Sequence, residues 1–222
     1  MSGSLIKPDR MKPYASVIGD LVASRTTPDR GLLHQRVEAV LAGVNDRIRA
    51  VQPLSFTVGD EFQGLYSSVS DALDAALIVR LELLGVSDAR FGLGWGTVQI
   101  FDAERLPFAQ DGPAWWTARE ALSTVAEAAG RKGAPRGWRT AFRGDGPEVV
   151  TAAIEAFLLC RDSLIEGMDE RDGAVVLGMM NGLSQKEIAG RQGVSQSAVS
   201  QRSSRNGTFA ILRAHEAIKG AL

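Results

Sequence analysis

From Tyr14 to Ala129 two hydrophobic periods alternate in a fixed order, and that order restricts the fold more than any other feature. Tyr14-Ala-Ser-Val-Ile18 reads as a buried strand that Gly19-Asp20 ends. Between Gly31 and Ala50, the apolar residues Leu33, Val37, Val40, Leu41, Val44 and Ile48 recur at helical spacing. Leu54-Ser-Phe-Thr-Val58 and Glu61-Phe-Gln-Gly-Leu-Tyr66 are strand-like runs parted by Gly59-Asp60. A tight turn with glycine first matches the twist of paired strands, so the two runs predict a β-hairpin. Val69 to Leu84 is a second helix, Arg90 to Ile100 a glycine-punctuated strand, and Ala114 to Ala129 a third helix.

This β-α-β-β-α-β-α order predicts an α+β domain, the ferredoxin-like split βαβ sandwich, over residues 11–130. Gly130 to Gly146 changes character. It carries Arg131, Lys132, Arg136, Arg139 and Arg143 before its first acid, Asp145, and several glycines. Residues 131–148 therefore read as a basic, glycine-rich linker or loop, and 149–222 as a separate all-α domain. A hydrophobic share of 45% is enough for a packed core and argues against disorder. No apolar run approaches the roughly 18 residues of a membrane-crossing helix. The lone Cys160 excludes an internal disulfide and, within Phe157-Leu-Leu-Cys160, reads as a core residue. His34 and His215 lie too far apart for metal-ligand spacing. Met1 to Arg10 lacks the apolar segment of an export signal, so a cytoplasmic location is expected.

The C-terminal part has strong local grammar. Ser184-Gln-Lys-Glu187 is a capping box. A short helix follows to Gln192, then Gly193-Val194 turns the chain, and Ser195 caps a second helix from Gln196 to about Arg205. Ile188, Ala189, Val194 and Val199 form the inward faces. Gln196, Ser197, Ser200 and Gln201 would then face outward with side chains able to read base edges in a major groove. Lys186, Arg191, Arg202 and Arg205 would neutralise phosphates. From Leu183 to Leu222 there are six Lys and Arg against two acids, +4 in a chain of net charge −1. Asn181 to Ser200 resembles the helix-turn-helix of sigma-factor region 4. That resemblance implies double-stranded DNA as a partner and a homodimer on a symmetric site.

Two acids mark the N-terminal part. Asp20 follows the first strand and Asp60 sits at the hairpin tip. If those strands are neighbours, both carboxylates reach one edge of the sheet, where hard oxygen ligands suit Mg²⁺ together with nucleotide phosphates. Val58-Gly-Asp-Glu-Phe62 and the strand around Phe91-Gly-Leu-Gly-Trp-Gly96 resemble the palm-like domains of class III nucleotide cyclases and GGDEF proteins. The resemblance implies metal binding by Asp20 and Asp60. Ser24 and Arg25 are candidate phosphate contacts, and Arg119 reads as a phosphate contact or, in preference, as the salt-bridge partner of a nearby acid. Two departures stand out: Trp115 replaces the asparagine expected four residues before Arg119, and Val58 replaces the first glycine of GGDEF. Glu61 reads as a solvated or supporting residue, and Trp115 and Trp116 as core or dimer-interface residues. Ile18-Gly-Asp-Leu-Val-Ala-Ser-Arg25 and Val58 to Gln63 also resemble the hallmark strings of the SatD family. Taken together, these features predict a DNA-binding transcriptional regulator whose palm-like domain dimerises or senses a metal–nucleotide ligand. The alternative is a Mg²⁺-dependent nucleotidyl cyclase or other phosphoryl-transfer enzyme targeted by the helix-turn-helix.

Overall fold

The computed structural model describes residues 12–22, 29–102 and 107–222. Its first strand, β1 (Pro13–Val22), leads to helix α1 (Arg30–Arg47), where Asp29 accepts from the Leu32 N–H as N-cap. The hairpin β2 (Gln52–Phe56) and β3 (Glu61–Tyr66) turns through Gly59, whose φ of 65° suits a residue without Cβ. Helix α2 (Val69–Glu82) and strand β4 (Asp88–Thr97) complete the unit. The strands lie in the order β2-β3-β1-β4, each pair antiparallel. This is the split βαβ arrangement that the alternation of periods predicts.

Side chains alternate across β1 and so serve two cores. Ala15, Val17 and Leu21 pack with Leu33, Val37 and Leu41 of α1 and with Leu73 and Leu77 of α2. Tyr14 and Ile18 belong to the opposite face, under helix α3 (Pro113–Ala128), with Trp115, Ala118 and Leu122. The glycines of β4 explain how close α3 comes. A Cβ on Gly92 would fall on the Ala118 carbonyl, and one on Gly94 on the Ala114 carbonyl. The same contact lets Ser16 Oγ donate to the Ala114 carbonyl at 2.6 Å from inside the sheet.

Beyond Thr97 the structure departs from the sequence reading. The strand at Arg90 stops at Thr97, and a separate ribbon follows, formed by β5 (Gln99–Asp102) and β6 (Ala109–Asp111). The supposed linker contains β7 (Thr140–Gly144), which pairs parallel with β4 as the fifth strand. Its basic residues turn toward nearby acids: Arg131 pairs with Glu127, Arg139 with Asp88, and Arg143 with Glu155. Helices α4 (Glu148–Ile165), α5 (Glu170–Met180), α6 (Gln185–Gln192), α7 (Gln196–Arg205) and α8 (Thr208–Gly220) follow. Ile154, Leu158, Ile165, Val176 and Ile211 join the same core as α1 and α2. The packing therefore contradicts a boundary at 131–148, because sheet and core both run through it. Cys160 is exposed on α4, not buried in its core.

A polar clasp holds α8 to α2. Asp74 accepts a hydrogen bond from His215 Nε2 at 2.6 Å and one from Lys219 Nζ. Burial pushes the Asp74 carboxyl up, but the bonds from His215 and Lys219 outweigh it and hold the group below its ordinary value. A carboxylate depressed by folding adds stability that is complete above its unfolded pKa and is lost as pH falls through the folded one. Stability is thus expected to decline below about pH 4. Asp74→Asn should flatten that part of the profile, as read by thermal melts over roughly pH 2 to 5.

Candidate functional site

One end of the sheet gathers three acids, from two neighbouring strands and the turn before the second. Asp20 on β1 lies directly opposite Glu61 on β3, and the Leu21 N–H donates to the Asp60 carbonyl at 3.2 Å. Asp20 and Glu61 therefore share the α3 face, while Asp60 is at the turn, where its charge still acts on the Asp20 carboxyl. Each acid meets an arginine from a different element. Arg90 Nη1 of β4 is 3.4 Å from Asp20 Oδ2. Arg30 Nη2, in the first turn of α1, donates to Asp60 Oδ1 at 3.1 Å. Arg119 of α3 grips Glu61 with two bonds, 2.5 Å from Nη1 to Oε2 and 2.6 Å from Nη2 to Oε1, the fork geometry that suits a carboxylate.

The charges of this cluster are strained against one another. Burial pushes the Asp20 carboxyl above its usual range; Arg90 draws it back, and Glu61 and Asp60 push it up again. Glu61 holds the Arg119 guanidinium above its ordinary range. Among the described residues no three His, Cys, Asp or Glu stand close enough to form a metal cage. The donor set suits a hard cation that brings its own oxygen ligands, since Mg²⁺ commonly takes one or two carboxylates and completes its shell with phosphates and water. Trp115, one turn before Arg119, is buried in the α3 core at 9% exposure and cannot serve as the missing asparagine. Trp116 is exposed and donates from Nε1 to Asp111. Ser24 and Arg25 lie outside the described residues.

At the other end of the chain, α6 and α7 are joined through Gly193 in the left-handed region, φ 65°. The Ser184–Glu187 capping box is formed on both sides, and Ser195 accepts from the Ala198 N–H at 3.2 Å. Ile188, Ala189, Val199 and Val175 of α5 make a small separate core, with Val194 packed against it. Lys186, Arg191, Gln196, Ser197, Gln201 and Arg205 are exposed, and Ser200 is half-buried. Arg202 does not stand free for phosphate. Its Nη1 bonds Asp169 at 3.0 and 3.1 Å and Asp172 at 2.6 Å, tying α7 to the capped start of α5. Arg202→Ala is expected to lower the melting temperature, by on the order of 1 kcal/mol of stability. It should leave the slope of any log affinity against log salt unchanged, where loss of a phosphate contact would reduce that slope by about one.

The family model for SatD proteins matches residues 14–222. This chain belongs to the SatD family. No curated protein matches the SatD chain. Among solved structures, a bacterial light-regulated adenylyl cyclase is 13% identical, with a TM-score of 0.46 over 59% of this chain and 43% of that one. The SatD chain thus spans less than half the length of that cyclase. The catalytic core of a rhodopsin-guanylyl cyclase with converted specificity, in complex with ATPalphaS, is 18% identical, with a TM-score of 0.41 over 51% and 72% of the two chains. The guanylyl cyclase domain of the RhoGC fusion protein from the aquatic fungus Blastocladiella emersonii is 14% identical, with a TM-score of 0.41 over 51% and 74%. Scores this low describe a partial likeness of fold and nothing of the chemistry.

Two residues of the SatD site escape a reading of its motifs. Arg90 sits two positions from the first strand glycine, and Arg30 opens α1, yet neither stands in a distinctive string. Glu61, expected as a solvated or supporting residue, is the nearby acid that Arg119 pairs with, 58 residues away. The +4 of the C-terminal stretch was the signal for a basic surface, but part of it is spent inside the molecule, on Asp169, Asp172 and Asp74. No described helix is long and apolar enough to cross a membrane.

Proposed function

We propose that the sheet-end cluster binds a Mg²⁺–nucleoside triphosphate by exchange of partners. The observation that carries this reading is the pairing of Asp20, Asp60 and Glu61 with Arg90, Arg30 and Arg119 at one end of the sheet. Without ligand the six charges neutralise one another. A metal and a polyphosphate offer each a better partner: Asp20 and Asp60 would hold the cation, while the guanidinium groups would turn to phosphate oxygens, for which their fork geometry is suited. The cation would supply charge neutralisation at the phosphoryl oxygens. Arg119 would be freed as Glu61 joins the acidic side of the exchange. Ser24 and Arg25, on the segment that follows β1, would add phosphate contacts.

Calorimetric titration with ATP or GTP, each with and without Mg²⁺, tests the proposal. Saturable binding that needs the metal is expected, and equal results with and without Mg²⁺ would overturn it. Pyrophosphate release in the same mixture separates a cyclase or other phosphoryl-transfer enzyme from a sensor. The buried Trp115 favours the sensor.

A second reading concerns α6 and α7. The exposed Gln196, Ser197, Gln201, Lys186, Arg191 and Arg205 favour contact with a DNA duplex, with Ser200 at the margin and Arg202 as a brace. In that reading the protein is a cytoplasmic, dimeric transcriptional regulator whose palm-like part reports nucleotide to the DNA-facing helices. Arg191→Ala and Arg205→Ala should each weaken binding of unrelated duplexes about equally and reduce the salt slope by about one.

A further inference from the structure

A cleft of about 440 Å³ opens far from the acid cluster, between α1 and α2 on one side and α5 and α8 on the other. Its volume falls within the range of small-molecule sites. The two places are linked by one helix: Arg30 at the start of α1 pairs with Asp60, and Arg47 at its end lines the cleft. Seventeen residues at 1.5 Å each put these ends about 26 Å apart.

The walls are apolar, with Ile78 of α2, Leu177 and Met180 of α5 and Leu212 of α8. Polar groups gather at one side, where Asp74, His215 and Lys219 form the clasp described above. His215 is 4% exposed and its Nδ1 has no partner among the described residues, so the polar side of the cleft is not fully satisfied by the chain itself. The spare bonding capacity is unequal. Both Asp74 oxygens are taken, by His215 and by Lys219. An ammonium has three donors and a guanidinium five. The Lys219 side chain is 32% exposed with one bond to Asp74, and Arg47 has one ion pair, to Glu82 at 3.2 Å. Donors are therefore left over next to an apolar wall, and Glu216 is the one lining acid without such a pairing.

We infer that this cleft is a second ligand site, for a small amphipathic monoanion with its apolar body between α2, α5 and α8 and its acid group on Lys219 and Arg47. The site is independent of metal–nucleotide binding. A ligand there touches the sheet domain through α1 and α2 and the C-terminal helices through α5 and α8, so it would favour their docking.

The test uses the full chain and the fluorescent probe 8-anilinonaphthalene-1-sulfonate, without Mg²⁺ or nucleotide. Saturable binding of one probe per chain is expected, displaced by octanoate at least tenfold more effectively than by octanol or octylammonium. Lys219→Gln should weaken the probe about tenfold. That variant also loosens the clasp, so Glu216→Gln provides a readout that unfolding cannot mimic: it removes a negative charge from the rim and should tighten probe and octanoate several-fold. Equal displacement by octanol or octylammonium, or a Glu216→Gln variant that binds no tighter, would overturn the proposal.

Discussion

Asp162→Ala is expected to lower the unfolding free energy by about 3–5 kcal/mol, the effect of leaving a buried charge without its partner. For a domain of ordinary stability, roughly 5–15 kcal/mol, this is about a fifth of the total or more. Asp162 is fully enclosed and lies among Arg80, Arg161 and the start of β7. Arg80 Nη1 stands 2.5 Å from Asp162 Oδ1, and Arg161 Nη2 donates to the same oxygen at 2.9 Å. The other oxygen accepts from the backbone N–H groups of Arg139 and Thr140, at 2.8 and 2.6 Å. One carboxylate thus neutralises two buried arginines and anchors the edge strand. Removing it leaves the Arg139 and Thr140 backbone N–H groups and the two buried guanidinium groups without their carboxylate. A triple variant, Arg80→Met, Arg161→Met and Asp162→Leu, should recover part of the loss, since well-packed apolar replacements of buried ion groups are often tolerated. It cannot recover all of it, because the two backbone donors stay unpaired. Urea midpoints followed by circular dichroism measure both, and a shift under about 1 kcal/mol for Asp162→Ala would remove the network from its structural role.

The same network explains where sequence reading stops. Helices α1, α2 and α3 and the β2–β3 hairpin were legible because their signals are local: apolar spacing, cap residues and a glycine turn. The α6–α7 unit was legible for the same reason, down to the Ser184–Glu187 box. β7 was not. Thr140-Ala-Phe-Arg-Gly144 is short, sits in a basic glycine-rich stretch and becomes a strand only through β4 and the donors it presents to Asp162. Cys160 shows a different kind of miss. The buried stripe of α4 is Ile154, Leu158, Arg161 and Ile165, at steps of four, three and four, and Cys160 falls off it. An arginine and an aspartate occupy the buried face next to it, so apolarity alone misplaced the stripe. At the candidate site the acids were legible from their strings. Their arginine partners come from β4, α1 and α3, and only the fold brings these together.

Asp20→Asn is expected to reduce Mg²⁺-dependent nucleotide binding by about a hundredfold or more, some 2.7 kcal/mol, without destabilising the fold. The second half of that statement separates a ligand role from a structural one. Asp20 is partly buried, close to Glu61 and Asp60, and its carboxyl is raised despite Arg90. A raised folded pKa means the folded state binds the proton more tightly than the unfolded state, so the charged form works against folding at neutral pH. Stability from this group grows as pH falls toward the raised value and is lost above it. An asparagine removes the unfavourable charge while keeping the shape, so the melting temperature at pH 7 should hold or rise, and its dependence on pH just above the ordinary carboxylate range should flatten. If Asp20 merely braced Arg90, the variant would melt earlier and bind nucleotide as before. A charge held at an energetic disadvantage in the free protein, which a bound cation would relieve, fits the proposed binding site, kept ready at the expense of stability.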